Sequence, residues 1–440
     1  VVKRRAAAVA LACAACGAEP TAPAPSGSDA PRTACGRGIV VVATDYQSTN
    51  VALLDVSGGV RAPTFVSSAT TEAALTAPLS GDVVAPTTPA ADEIVLVDRF
   101  PASVLSFVEV RSARVRAQLD VATGFASNPQ DYVAVGDHAY VSRYETNATP
   151  GARPFDGGGD VLVVEARGPS IQRRIDLAPA VATTPGYLPR PNRMVASDGR
   201  LYVLASAYDA DFSDSAPSRL VVVDAARAEI EAVHLLDGLH GCGGLALAPA
   251  FDATGAPREA RPIAVSCSGK FGGTSTPSIT ESGLAVLVDD GARAPRASLR
   301  EVARYRASDV AGRPLGFSVV FAEALVAGQA VERLLVTALG QTASSGAAER
   351  PDALVEIDPG SGASRVLFES ARPFDLGEAQ CATLLDPSLD GADGCGLCFA
   401  ADASRAVVHR LTASPEGFSP DAALVVDTAI GLPPRLLGRY

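Results

Sequence analysis

Seven times along the chain, at a spacing of about sixty residues, a short β-branched and aliphatic run stands between clusters of Gly, Pro, Asp and Ser, and no other feature restricts the fold as much. These runs occupy 38–42, 94–97, 139–141, 201–203, 263–265, 334–336 and 397–399. A second run follows each of them, at 51–56, 104–110, 161–166, 220–225, 284–289, 354–358 and 406–411. Six of the second runs end in an acid (Asp55, Glu109, Glu165, Asp224, Asp289 and Asp358), where a carboxylate caps the turn into the next strand. A third run follows, for example 114–119 and 365–368, and a fourth begins after Pro78, Pro129, Pro191, Gly241, Pro314, Pro373 or Pro433. No amphipathic helical pattern of useful length interrupts them.

Four short antiparallel strands repeated seven times predict an all-β chain, a seven-bladed β-propeller in which each blade covers the apolar face of the next. The phase of the repeat also predicts how the ring closes. The chain opens on a second strand at Gly38, and Pro433-Pro434-Arg435-Leu436-Leu437 supplies a first strand, so the C-terminal strand completes the first blade.

The wording of the units resembles the YVTN-type propeller repeat: 198–203 (Asp-Gly-Arg-Leu-Tyr-Val) followed by 219–224 (Arg-Leu-Val-Val-Val-Asp) gives a turn, a Tyr-Val strand and a strand ending in Asp. The resemblance runs through nearly all of residues 36–440, and units one, five and seven lack the Tyr. With no Trp among 440 residues, repeats signed by Trp find nothing to match.

The first residues read as an address. Lys3, Arg4 and Arg5 precede an apolar run at 6–12, and Cys13-Ala14-Ala15-Cys16-Gly17 resembles the lipobox of bacterial lipoproteins, with Cys16 as the lipidated residue and 1–16 as the signal. Residues 17–35 are Pro, Ala, Ser, Gly and Thr with little apolar bulk, which predicts a flexible tether ahead of a propeller at 36–440. Export to the cell envelope, anchored at the outer membrane or cell surface, is the localisation this implies. A formal charge of −12 opposes nucleic-acid binding and leaves the lipid anchor as the only membrane contact.

In an oxidising compartment the six remaining cysteines are expected to pair. Cys242 and Cys381 both open an innermost strand while Cys267 and Cys398 both lie on the strand after it, so each pair faces across one ladder and Cys35 is left with Cys395. Cys395-x-x-Cys398 with Cys381 also permits a zinc or redox site, although no second CxxC or neighbouring His supports it.

Strand parity places the connections between second and third strands on the same rim as the start of each blade. Four of those connections are long, near 143–159, 206–218, 267–282 and 338–352. At the channel mouth on that rim the candidate binding residues are Asp131, Arg190, Arg193, His240, Arg313, Asp375 and Arg435, with Gly316 beside them. Mixed acids and arginines there suit a polar small molecule, a glycan or an envelope protein, or they pair with one another. The alternative is a propeller enzyme of the lactonase or oxidoreductase type in which Asp131, His240 and Asp375 hold a metal or act as base. No cofactor is expected. Calcium is admitted only at 209–214 (Asp-Ala-Asp-Phe-Ser-Asp), which has oxygen ligands but neither the glycine nor the distal glutamate of an EF-hand loop. The glycine-rich stretch 268–273 around Lys270 lacks the rest of a phosphate loop and reads as surface.

Overall fold

The computed structural model describes residues 24–89, 92–270, 277–291, 296–343, 348–392, 395–427 and 429–440. Within them the strands form seven four-stranded antiparallel sheets, and six sheets run outward from the axis in chain order. The seventh is the closing blade: Pro434–Arg439 lies innermost and pairs with Gly38–Thr44, placing Leu437 opposite Val41. The innermost strands of the other blades are Val83–Val84, Pro129–Val135, Leu188–Ser197, Cys242–Leu247, Leu315–Val326 and Leu376–Cys381.

Most second and third strands carry a buried apolar run because both faces of a blade are covered. Along Gly38–Thr44, for example, every residue is buried. Successive side chains point to opposite faces, so Val40 and Val42 join a core shared with blade two while Ile39 and Val41 join one shared with blade seven. Seven such interblade cores close the ring.

Polar stitches cross between blades as well. Hydroxyls late in a second strand donate to the start of the next blade: Thr44 to Gly81 O at 2.6 Å, Ser142 to Asn192 O at 2.6 Å, Ser206 to Cys242 O at 2.9 Å and Ser266 to Gly316 O at 2.7 Å. The tyrosine of the repeat has a parallel task at the other rim. Tyr202 donates to the Asp289 carboxylate of the next blade at 2.8 Å, and Tyr140 donates to Ala225 O, just beyond Asp224. The strand-ending acids cap turns. Asp55 accepts the N–H groups of Ser57 and Gly59, Asp289 those of Gly291 and Ser298, and Asp358 those of Gly360 and Ser361.

Three disulfides join Cys35 to Cys395, Cys242 to Cys267 and Cys381 to Cys398; strand register sets the last two pairs opposite one another, and Cys35 and Cys395 meet from turns of neighbouring blades. The segment expected as a tether through residue 35 is bound to the propeller from Ser26 onward. Ser26 N donates to Thr64 O, Ser28 N to Val110 O and Ala34 N to Asp390 O, and Ser28, Ala30 and Ala34 are buried. Small residues that cannot build a core of their own still fit a groove where their backbone finds partners. Cys16 and the signal 1–16 lie outside the described residues, as does the start of the tether.

Three loop limits also move. Arg143 belongs to the strand His138–Thr146, so the first long connection begins only at Asn147; the connection expected at 206–218 shortens to 209–214, because the flanking strands Arg200–Tyr208 and Ser215–Asp224 pair beyond it; and Pro78 stands five residues before the strand it was read to start. The opposite rim is not bare. Blades two, five and seven carry long connections there between first and second strands, at 85–92, 248–262 and 382–397.

Candidate functional site

The mouth rim opens into a cavity of about 640 Å³ on the channel axis. Its floor and walls come from the starts of the first strands: Asn128, Gln130, Asn192, Arg193, Gly243, Phe317, Gly377, Glu378 and Arg435. Second-to-third connections and their flanks add Tyr46, Arg99, Tyr144, Tyr208 and Phe212, and Phe374 joins them from the turn before blade seven.

Local backbone aims these side chains. The ladder between first and second strands slips at Pro129/Asp131, Pro191/Met194, Cys242/Gly244, Leu315/Val319 and Leu376/Ala379, a bulge at the mouth in each of five blades. A bulge re-aims the residues it contains, here towards the channel. Two glycines make room: a Cβ on Gly243 would stand 2.6 Å from the Phe317 ring, and one on Gly377 would stand 1.8 Å from Arg435 O. Tyr46, Phe212 and Phe374 all have left-handed backbones, with φ of 67°, 59° and 61°. That conformation costs a non-glycine residue about 1–2 kcal/mol, and such strain clusters at ligand sites.

Tyr46, Phe212, Phe317 and Phe374 are 62%, 40%, 49% and 42% exposed, and all four converge on this one cavity. Charged groups steady the ring of aromatics from behind. The Arg190 guanidinium lies 4.3 Å from the Phe212 ring centroid and 5.5 Å from that of Tyr144, and Arg435 lies 4.9 Å from Tyr46. Phe212 stacks in parallel on Tyr144 at 6.2 Å. Burial raises the Tyr144 and Tyr208 hydroxyls above the ordinary phenol range, which keeps both neutral.

Across the floor Arg193 pairs with Glu378 and donates to Ala85 O, while Glu378 accepts Leu437 N–H at 3.1 Å. Burial works against the Arg193 charge, but the carboxylates of Glu378 and Asp131 hold it above the usual arginine range. At the wall Arg99 binds Asp82 through Nε at 2.9 Å and reaches Gln130 at 3.3 Å.

Of the seven candidates, Arg193 and Arg435 line the cavity. The others stand behind it. Asp131 is fully buried, with its oxygens taken by Thr87 N–H and hydroxyl, Tyr132 N–H and Met194 N–H, so it ties three blades together; burial raises its carboxyl above the usual range. Arg190 pairs with Glu145 under the aromatics. Arg313 binds Glu369 at 2.6 Å and Pro351 O, Asp375 is held by Arg372 and Arg435, and the Gly316 carbonyl serves an interblade stitch. His240 meets Ser215 Oγ at 3.1 Å, outside the cavity, and burial lowers it below the usual imidazole range. The enzyme alternative needs Asp131, His240 and Asp375 together, and the fold holds them in three separate networks.

Among the described residues no group of three or more His, Cys, Asp and Glu is placed to hold a metal ion. At 209–214, Asp209 accepts the Ser213 hydroxyl and the Asp214 N–H, and Asp214 pairs with Lys270 and accepts the Tyr187 hydroxyl; the turn so formed presents Phe212 to the cavity. The rest of the Lys270 stretch, 271–273, lies outside the described residues. The sequence does not single out these aromatics: Tyr46, Phe212 and Phe374 stand isolated in loops and carry no period, and Phe317 lies in a strand bulge that breaks the alternation.

No protein-family model and no curated protein matches the chain. Solved structures do. A Lactobacillus plantarum protein shares 10% identity over 91% of this chain and 98% of its own, with a TM-score of 0.52. A Bacteroides uniformis protein provisionally named a 6-phosphogluconolactonase shares 11% identity over 92% and 99%, with a TM-score of 0.49. At such identities the likeness is one of fold, and the chain is a seven-bladed β-propeller of four-stranded antiparallel blades.

Proposed function

We propose that the protein is an exported binding module whose mouth cavity takes a small polyhydroxylated molecule, a saccharide or a close chemical relative. One observation carries this reading: four exposed aromatic side chains, three of them on left-handed backbone, converge on a single cavity whose polar lining includes three side-chain amides and three guanidinium groups. Flat apolar rings stack on the C–H faces of a sugar while Asn128, Gln130, Asn192 and Arg99 meet its hydroxyls, the usual division of labour in a ligand pocket. Titration calorimetry with mono- and disaccharides is expected to find a binder. Phe317→Ala should weaken it at least tenfold, about 1.4 kcal/mol. Unchanged affinity in Phe317→Ala and Phe212→Ala together contradicts the reading.

Lactone or ester hydrolysis would use the same cavity. Two of the carboxylates lining it, Glu378 and Asp82, are each engaged by an arginine, so neither is poised as a free base, which favours binding over turnover.

We also propose the lipid anchor at Cys16 and, from its order of Tyr-Val strand and Asp-ended strand, a YVTN-type repeat. Support for export comes from three disulfides within one domain. With docking from Ser26, nine residues remain as tether, a reach of about 30 Å. An alkyne-tagged fatty acid fed to expressing cells should label the protein but not its Cys16→Ser variant; equal labelling, or none in either, contradicts the anchor.

A further inference from the structure

The channel holds more than the mouth. Below the Arg193–Glu378 pair a constriction of about 40 Å³ leads to a third void of about 230 Å³ at the opposite rim. Its walls are mainly apolar, from the ends of the first strands, with Leu245 and Val319 prominent. Two arginines, Arg261 and Arg439, line it, and so do Gln380 and Thr383.

Neither arginine there is paired with a carboxylate, a condition that the buried Arg219 shares among the described residues. Arg37, Arg190, Arg258, Arg313 and Arg439 each have a buried Nε with no hydrogen-bond partner. The first four hold carboxylates through their terminal nitrogens. Among the described residues Arg439 donates only to the Thr383 hydroxyl, at 2.9 Å, and Arg261 only to Ala248 O, at 2.8 Å. Among the described residues neither forms an ion pair. Burial, and then the charge of Arg261, lowers Arg439 to about 10, so it is still a cation at neutral pH. Asp198 partly offsets the charge of Arg261, but no carboxylate among the described residues acts on Arg439, and two guanidinium groups facing one apolar void are costly unless an anion is bound there.

We propose that this end of the channel is a binding site for the oxyanion of a small organic acid or phosphate, held between Arg261 and Arg439 with the Thr383 hydroxyl and Gln380 amide beside it. Guanidinium forks suit carboxylate and phosphoryl oxygens alike. The void is smaller than the ~300 Å³ at which ordinary ligand pockets begin, so the ligand is small, and its apolar walls accept a short hydrocarbon body. The site is separate from the mouth and does not depend on what binds there.

Inorganic phosphate and butyrate are the probes, each titrated against the full propeller at constant ionic strength set with chloride, by calorimetry and thermal melting. Saturable binding of at least one is expected, with a rise in Tm beyond the chloride control. Phosphate alone points to a phosphoryl ligand, butyrate alone to a carboxylate. Arg439→Gln should weaken binding at least tenfold, Arg439→Lys less, and Phe317→Ala at the mouth not at all. Without either probe Arg439→Gln should melt no lower than the parent, because it removes an unpaired buried charge. Arg261→Gln repeats the affinity test should Arg439→Gln fail to fold. Absence of saturable binding by both probes, or affinity unchanged in Arg439→Gln and in Arg261→Gln, overturns the proposal.

Discussion

Replacing Arg143 with alanine is expected to destabilise the propeller by about 3–5 kcal/mol, the range for breaking a buried ion pair by removing one partner. Arg143 is completely buried beside a completely buried Asp160. Each of its five N–H groups is used: Nε and one terminal nitrogen grip Asp160 at 2.8 and 2.7 Å, and the remaining donors reach Val121 O, the Thr123 hydroxyl and Phe155 O. Its face also lies 5.2 Å from the Phe125 ring centroid. The variant strands Asp160 with Arg174 as its remaining arginine and orphans carbonyls of two loops. Arg143→Lys should recover little, since an ammonium cannot reproduce the fork. Urea unfolding reads the effect, and a loss below about 1 kcal/mol would mean the pair is worth no more than a surface one.

Removing the Cys35–Cys395 bridge as Cys35→Ser/Cys395→Ser should cost about 5 kcal/mol, against about 3 for either of the other two disulfides. Its ends are 360 residues apart in sequence, while the other pairs close loops of 25 and 17. It also fastens the docked N-terminal segment to blade seven, where Leu385 N and Asp386 N already donate to Ala34 O. Thermal or urea unfolding of the three double variants gives the ranking. An equal or smaller loss at Cys35–Cys395 would place the ring's closure in the Pro434–Arg439 strand alone.

Blade number, strand order, closure and two of the cysteine pairs are legible in the sequence because each follows from register, and Cys35 with Cys395 is the pair those two leave over. A blade buried on both faces writes an uninterrupted apolar run, and seven runs in phase leave little freedom. The site is less legible for a physical reason. Asp131, Arg190 and Arg193 each lie within the first six residues of a first strand, yet only Arg193 reaches the cavity. The bulges at Pro129/Asp131 and Pro191/Met194 break the two-residue alternation that would otherwise tell inward from outward. Arg313 and Asp375 show the other difficulty, since a charge near a mouth is as readily spent on a neighbour, here Glu369 and Arg372, as on a ligand. Tyr46, Phe212 and Phe374 depend on left-handed turns that no composition rule announces. Arg439 sits in a strand read correctly as the ring's closure, but nothing in its neighbourhood along the chain tells that it lacks a carboxylate.

The most direct test uses the absence of tryptophan from the chain. Phe317→Trp places one fluorophore on the cavity wall, and Val302→Trp places one on an exposed outer strand as control. Titrated with mono- and disaccharides, polyols and sugar lactones, the Phe317→Trp emission should shift saturably with at least one of them while the Val302→Trp emission stays constant. No saturable response at position 317 to any of these ligands, or an equal response at both positions, would contradict a ligand site at the mouth.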